Sequence, residues 1–151
     1  MRQVLASLFL MALMASVGMA DTSIKSAPVA AQELADGEIV LLDIRSPAEW
    51  RETGLAKGAW PVSMHTPEFG NQLQDIFEKY RPDQVALICA TGGRTAHVID
   101  VLAKNGITGV IDVSEGMHGN PSGPGWLARG MPVVSVEDAQ KDFEASFSQT
   151  N

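Results

Sequence analysis

The chain has one cysteine among its 151 residues, Cys89. It follows the apolar run Val85-Ala86-Leu87-Ile88 and precedes Ala90-Thr91-Gly92-Gly93-Arg94. A helical pattern begins at Thr95, with Val98, Ile99, Val101 and Leu102 apolar. A thiol at the carboxyl end of a buried strand, before a glycine-rich turn, stands where open α/β sheets bind ligands. Gly92 and Gly93 let the backbone curl around an anion without side-chain collision. The amides of the turn and the positive end of the following helix point into that curl. Arg94 adds a full positive charge. Such surroundings favour thiolate over thiol, and the thiolate is the nucleophile. The residue types alone leave three uses of Cys89 open: an inert buried side chain, a link between chains, or a reactive thiol.

Three further groups have side chains fit for chemistry. Asp43, Arg45 and Glu49 lie just after another apolar run. Arg45 can stand near the Cys89 pocket, held by a carboxylate. It can equally form a structural ion pair that pins strand to helix, and the packing reading is favoured. Asp43 can brace the loop. His65, His97 and His118 have no metal-ligand spacing and no second cysteine to join them. Neither a metal nor a cofactor is expected. Trp50, Trp60 and Trp126 suit the core or its rim.

Alternating strands and helices must position these groups. Pro28 to Ala35 reads as a first helix, ended by Gly37. Ile39 to Ile44 is a continuous apolar run broken only by Asp43, as in a strand buried on both faces. Ser46-Pro47-Ala48-Glu49 predicts a helix start with a capping box. Trp60 to Met64 reads as a short strand, and Thr66 opens a helix that runs to about Tyr80. Val85 to Cys89 and Val110 to Val113 complete the strands, with the Thr95–Lys104 helix between them. Gly116 to Gly125 reads as a loop, and Val136 to Phe147 as an amphipathic helix. The alternation predicts a parallel α/β sheet.

The ends and the charge bound the setting. Arg2, the apolar stretch Val4 to Val17 and Gly18-Met19-Ala20 follow the grammar of a secretory leader cleaved between Ala20 and Asp21. The stretch is short for a membrane span, so no span is expected in the mature form. The expected layout is a leader at 1–20, a polar linker at 21–28, one domain at 29–135, and a C-terminal helix and tail at 136–151. Formal net charge is −7, and no basic cluster interrupts it. That argues against nucleic acid and against an anionic membrane surface as partners.

Cys89-Ala90-Thr91-Gly92-Gly93-Arg94-Thr95 resembles the active-site loop of rhodaneses. Leu42-Asp43-Ile44-Arg45-Ser46-Pro47-Ala48-Glu49-Trp50, Gly54 to Ala59, and Gly130-Met131-Pro132-Val133 after Trp126 resemble other segments of that family, in the same order. The resemblance implies a three-layer fold, with a mainly parallel sheet of about five strands between helices. It implies a sulfurtransferase. Cys89 would take the outer sulfur of a donor such as thiosulfate and pass it to a thiophilic acceptor, cyanide or a thiol, including a thiol-bearing protein. The amides of Ala90, Thr91, Gly92, Gly93 and Thr95 would hold the persulfide, and Arg94 would orient the anionic donor. The alternative is a carrier that loads sulfur on Cys89 and delivers it to a partner protein without turnover. Four residues separate Cys89 from Arg94. Cysteine phosphatases of this fold have one more, with a wider cradle for phosphate, so the loop favours sulfur. The stretch from Gly116 to Trp126 is longer than the family's and holds two prolines, which bears on access to Cys89. An exported protein of this kind would work in the periplasm of a Gram-negative cell.

Overall fold

The computed structural model describes residues 23–148. The expected leader lies outside the described residues. In chain order the elements are α1 (Ala27–Ala35), β1 (Val40–Asp43), α2 (Pro47–Thr53), β2 (Leu55–Ala56), β3 (Trp60–Pro61), α3 (Phe69–Lys79), a 3-10 turn (Pro82–Gln84), β4 (Val85–Ile88), α4 (Gly93–Lys104), β5 (Ile111–Asp112), α5 (Gly125–Ala128), β6 (Val133–Val134) and α6 (Val136–Ser148). Four strands form one sheet in the order β3-β1-β4-β5. Every pair in it is parallel.

The two-residue period of a strand divides the core into two layers. Leu41, Ala86, Ile88 and Ile111 pack with Ala27 and Ala30 of α1 and Trp126 of α5. Leu42, Leu87, Cys89 and Val110 pack on the other side, with Leu73 and Ile76 of α3 and Val98 and Ile99 of α4. Strand β4 is buried along its whole length, which is why it reads as an unbroken apolar run. Each of its large side chains gains about 1.5–3 kcal/mol from burial. Cys89 therefore leaves the sheet on the α3/α4 side.

The predicted capping box is present. The Ser46 hydroxyl accepts from Glu49 N at 3.3 Å, and Ser46 N donates to Glu49 Oε2 at 2.9 Å. The main sheet has four strands where about five were expected. Val133–Val134 does not join it but pairs antiparallel with Leu55–Ala56 as a separate ribbon. Residues 23–28, expected as linker, are tied to the sheet edge. Asp112 N donates to Ser23 O at 2.8 Å and Lys25 N donates to Asp112 O at 2.9 Å. Ile24 makes a parallel bridge with Asp112, and α1 already starts at Ala27.

The C-terminal helix is part of the core. Phe143 and Phe147 of α6 stand 5.2 and 5.7 Å from Trp60, centroid to centroid, and Tyr80 at 5.8 Å closes the cluster. Such aromatic pairs contribute about 0.5–1.5 kcal/mol each beyond area burial.

Glu115, in the loop after β5, ties α1 to α5. Its carboxylate accepts from Ala27 N at 2.6 Å, Gly125 N at 2.8 Å and Arg129 Nε at 3.1 Å. Burial by itself raises its pKa, but the two amides and the guanidinium outweigh burial and hold it below the usual carboxylate range.

Candidate active site

Strand β4 delivers Cys89 to its carboxyl end, and the segment after β5 holds the next loop. Met117 N donates to Cys89 O at 2.9 Å, and His118 N donates to Ala90 O at 2.8 Å. Asn120 Nδ2 donates to Thr91 O at 2.8 Å and to Ser114 O at 2.7 Å. The segment after β5 thus lies against the turn as a second wall. Gly116 permits this approach: a Cβ there would lie 2.4 Å from Ala90 O. The long Gly116–Trp126 stretch, expected to bear on access, also braces the turn through Asn120.

Gly92 closes the turn with φ +89° and caps the following helix. Helix α4 starts at Gly93, two residues before the predicted start at Thr95. Left-handed Gly92 reverses the chain within one residue, so Gly93 and Arg94 belong to the first helical turn. The result is an anion-favouring setting at Cys89. Gly92 N–H donates to Sγ at 3.2 Å. The amino-terminal end of α4 adds the partial positive charge of its unpaired amides. The sulfur itself is almost fully buried, with Cys89 only 1% exposed. Ala90 is half-buried, and Thr91 and Gly93 are exposed. Of the expected amide donors, the one that bonds to Sγ is Gly92.

Arg94 points sideways along the rim. Its Nη2 donates to Glu49 Oε1 at 2.6 Å and its Nη1 to Glu49 Oε2 at 2.8 Å. Nη1 also lies 3.1 Å from His65 Nε2. The hydrogen bond from Arg94 holds Glu49 well below the usual carboxylate range, against burial and with help from Ser46. Glu49 in turn raises Arg94, through hydrogen bonding first and then through charge, against burial; Cys89 and Asp43 add to the rise. Arg94 is thus near enough to Cys89 for charge to be felt, while both of its terminal nitrogens are engaged by α2. Glu49 is both the capping residue of α2 and the anchor of Arg94.

Arg45 is not in the pocket. Its side chain is fully buried. Nε and Nη2 bind the Asp43 carboxylate, at 3.0 and 2.7 Å. Nη1 donates to Thr53 Oγ1 at 2.9 Å, and Nη2 also donates to Gly54 O at 2.8 Å. A substrate-binding role for Arg45 is corrected on these grounds: the guanidinium is spent inside the fold, pinning β1 to the end of α2. Asp43 accordingly braces Arg45 rather than the Cys89 loop.

Thr95 also brings its side chain to the site. It is fully buried, with its hydroxyl 2.9 Å from Gly92 O, 2.7 Å from Asp112 Oδ1 and 3.9 Å from Cys89 Sγ. Asp112, Asn120 and His65 are residues the sequence reading left out of the site. Asp112 had a signal, since it closes an apolar run as Asp43 does. Of the other histidines, His118 is exposed, and His97 lines an apolar groove between α3 and α4 with Phe69, Phe77 and Val101. That groove has a volume of about 750 Å³, and Cys89 does not line it. Among the described residues, no three His, Cys, Asp or Glu side chains are grouped to hold a metal ion.

Residues 26–119 match the rhodanese-like domain family. The chain belongs to that family. Its rhodanese-like fold is shared by solved structures at low identity. The crystal structure of Rv0390 from M. tuberculosis is 25% identical, with 76% of this chain and 98% of that one covered and a TM-score of 0.55. The solution structure of the polysulfide-sulfur transferase homodimer from Wolinella succinogenes is 24% identical, with 77% and 80% covered and a TM-score of 0.57. The rhodanese-like domain of the Anabaena sp. Alr3790 protein is 21% identical, with 79% and 83% covered and a TM-score of 0.57. No curated protein matches the chain. The rhodanese-like match ends at Gly119, inside the Gly116–Trp126 stretch, so Asn120 lies just beyond the matched region.

Proposed function

We propose that this rhodanese-like chain is a sulfurtransferase in which Cys89 carries the sulfur. The Cys89 thiolate attacks the outer sulfur of a donor such as thiosulfate. A new S–S bond forms at Sγ, the donor's S–S bond breaks, and sulfite leaves with the bonding pair. The persulfide anion then meets cyanide or a thiolate, which takes the outer sulfur and returns the electron pair to Sγ. Negative charge stays on sulfur in the turn throughout, which suits the Gly92 amide and the helix end. The observation that carries the reading is the Gly92 N–H···Sγ hydrogen bond at the start of α4.

Arg94 acts as a rim charge. Held by Glu49, it attracts an anionic donor without wrapping the reacting sulfur. Phosphate transfer asks for a guanidinium that clasps the reacting group, and here both Nη atoms already serve Glu49. Arg94→Ala removes the attraction and leaves the Glu49 carboxylate uncompensated at the mouth. In a thiosulfate-to-cyanide assay, the Michaelis constant for thiosulfate should rise about tenfold, while kcat changes less than about threefold. A fall in kcat with an unchanged Michaelis constant would contradict this role. If the wild-type chain forms no thiocyanate and gains no sulfur, the sulfurtransferase reading fails. Sulfur loading without turnover selects the carrier.

Thiosulfate or another sulfane-sulfur donor, and a small or protein-bound thiol as acceptor, are the partners this reading names. Export belongs to the same proposal, with the leader removed after Ala20 and the periplasm of a Gram-negative cell as the place of work. No helix among the described residues is long and apolar enough to cross a membrane. Amino-terminal sequencing of the exported protein should begin at Asp21; a protein that still begins at Met1 would refute cleavage.

A further inference from the structure

The Cys89 sulfur is nearly closed to solvent, so a proton on it needs an acceptor inside the fold. The strand period supplies one. Asp112 is paired in register with Leu87. It has the same parity as Val110, so its side chain leaves β5 on the face from which Cys89 leaves β4. Thr95, in the first turn of α4, fills the space between them. Its single hydroxyl lies 2.7 Å from Asp112 Oδ1 and 3.9 Å from Sγ. The sulfur contact is long, as unliganded catalytic contacts often are.

We propose that Cys89, Thr95 and Asp112 form a buried proton relay, in which Asp112 takes the thiol proton through the Thr95 hydroxyl. With Asp112 ionised, the hydroxyl donates to the carboxylate and its lone pairs face the thiol. The proton then moves from Sγ to Thr95 Oγ1, and the hydroxyl's own proton moves to Asp112 Oδ1. No atom is gained or lost. One negative charge passes from Asp112 to Sγ, where the Gly92 amide and the end of α4 receive it. Protonated Asp112 now donates to Thr95, and Thr95 donates to the thiolate. A thiolate competes well with the neutral Gly92 O, 2.9 Å away, because hydrogen bonds to a charged acceptor are stronger.

The surroundings of Asp112 suit this task. Burial raises its carboxyl above the usual range, and the Thr95 hydrogen bond draws it part of the way back. A carboxyl raised in this way is closer to a thiol in basicity, so the transfer is less uphill. The charged groups of the neighbouring elements are paired elsewhere. Lys25 of the edge segment is bound to Glu33, and Asp83 of the 3-10 turn to Arg81. Arg94 of α4 is bound to Glu49, and Glu115 after β5 to Arg129 and two amides. The other titratable group that Thr95 touches is Cys89 itself. Thr95 and Asp112 are positioning residues, acting on substrate only through the sulfur.

The relay rests on the reading of Cys89 as the reactive thiol. It is tested by the pH dependence of Cys89 alkylation by iodoacetamide in the full chain, which needs no sulfur donor. Thr95→Val should slow alkylation about tenfold near about pH 6.5, with the same limiting rate at high pH, a shift of about one pH unit. Thr95→Ser, which keeps the hydroxyl, should restore the wild-type profile. Asp112→Asn keeps a neutral donor to Thr95 and removes the carboxylate charge that opposes the thiolate, so it should shift the profile the other way, to lower pH. Wild-type profiles in both single variants would overturn the relay. So would an Asp112→Asn profile moved to higher pH, or a serine variant that behaves like valine. If Thr95→Val does not fold, the near-isosteric Asp112→Asn decides alone. A chain that alkylates with the relay's profile but never gains sulfur refutes the sulfurtransferase and keeps the relay. A chain that transfers sulfur while both single variants alkylate as wild type does the reverse.

Discussion

Cys89→Ser should lower thiocyanate formation from thiosulfate and cyanide by about 10³-fold or more, the scale on which loss of a covalent nucleophile acts. A serine hydroxyl holds its proton at neutral pH, and an oxygen at this place cannot make a persulfide. The fold should survive the change. Serine is smaller than cysteine by little, and its oxygen can still accept from the Gly92 amide that now meets Sγ. A stability loss of about 1 kcal/mol is the expected size for such a surgical core change. A variant that keeps more than about a tenth of the wild-type rate would remove Cys89 from the chemistry.

Gly92→Ala should be strongly damaging to both fold and activity. The residue holds φ +89°, and a Cβ there would lie 2.1 Å from Ser114 O and 3.2 Å from Asn120 Nδ2. Backbone oxygen cannot step aside as the end of a flexible side chain can. The left-handed conformation costs about 1–2 kcal/mol for a non-glycine residue, and the overlap adds about 1–3 kcal/mol. A total of about 2–5 kcal/mol follows, readable as a lower denaturant midpoint. Transfer should fall about 100-fold, since the same amide donates to Sγ and an oxyanion-type donor contributes on that scale. The neighbouring glycine is the control. Gly93 has an ordinary φ and meets nothing within 4 Å, and it begins a helix. Gly93→Ala should therefore leave stability unchanged or raise it by about 0.5–1 kcal/mol. Equal damage from the two substitutions would contradict the account of the turn.

The parts of this site that were legible in sequence are local. The Val85–Ile88 run, the two glycines and the helix after them lie within twenty residues, and the capping box at Ser46 and Glu49 within four. Short-range geometry leaves a pattern in residue order. The parts that were missed are contacts across the fold. Glu49 meets Arg94 from forty-five positions away, and Asn120 meets Thr91 from twenty-nine. The ribbon of Leu55–Ala56 with Val133–Val134 has two residues per strand, too few to show a period. Asp43 and Asp112 both end apolar runs and look alike in sequence. One is locked against Arg45, and the other stands behind Thr95. Arg45 illustrates the same limit, since only the fold reveals that its partners are Asp43, Thr53 and Gly54 rather than a substrate.

The most direct test of the central claim is the mass of the chain after incubation with thiosulfate and removal of excess donor. The account predicts a gain of one sulfur atom, on the peptide that contains Cys89, reversed by cyanide with release of thiocyanate. An unchanged mass, or sulfur found on any other peptide, would contradict it.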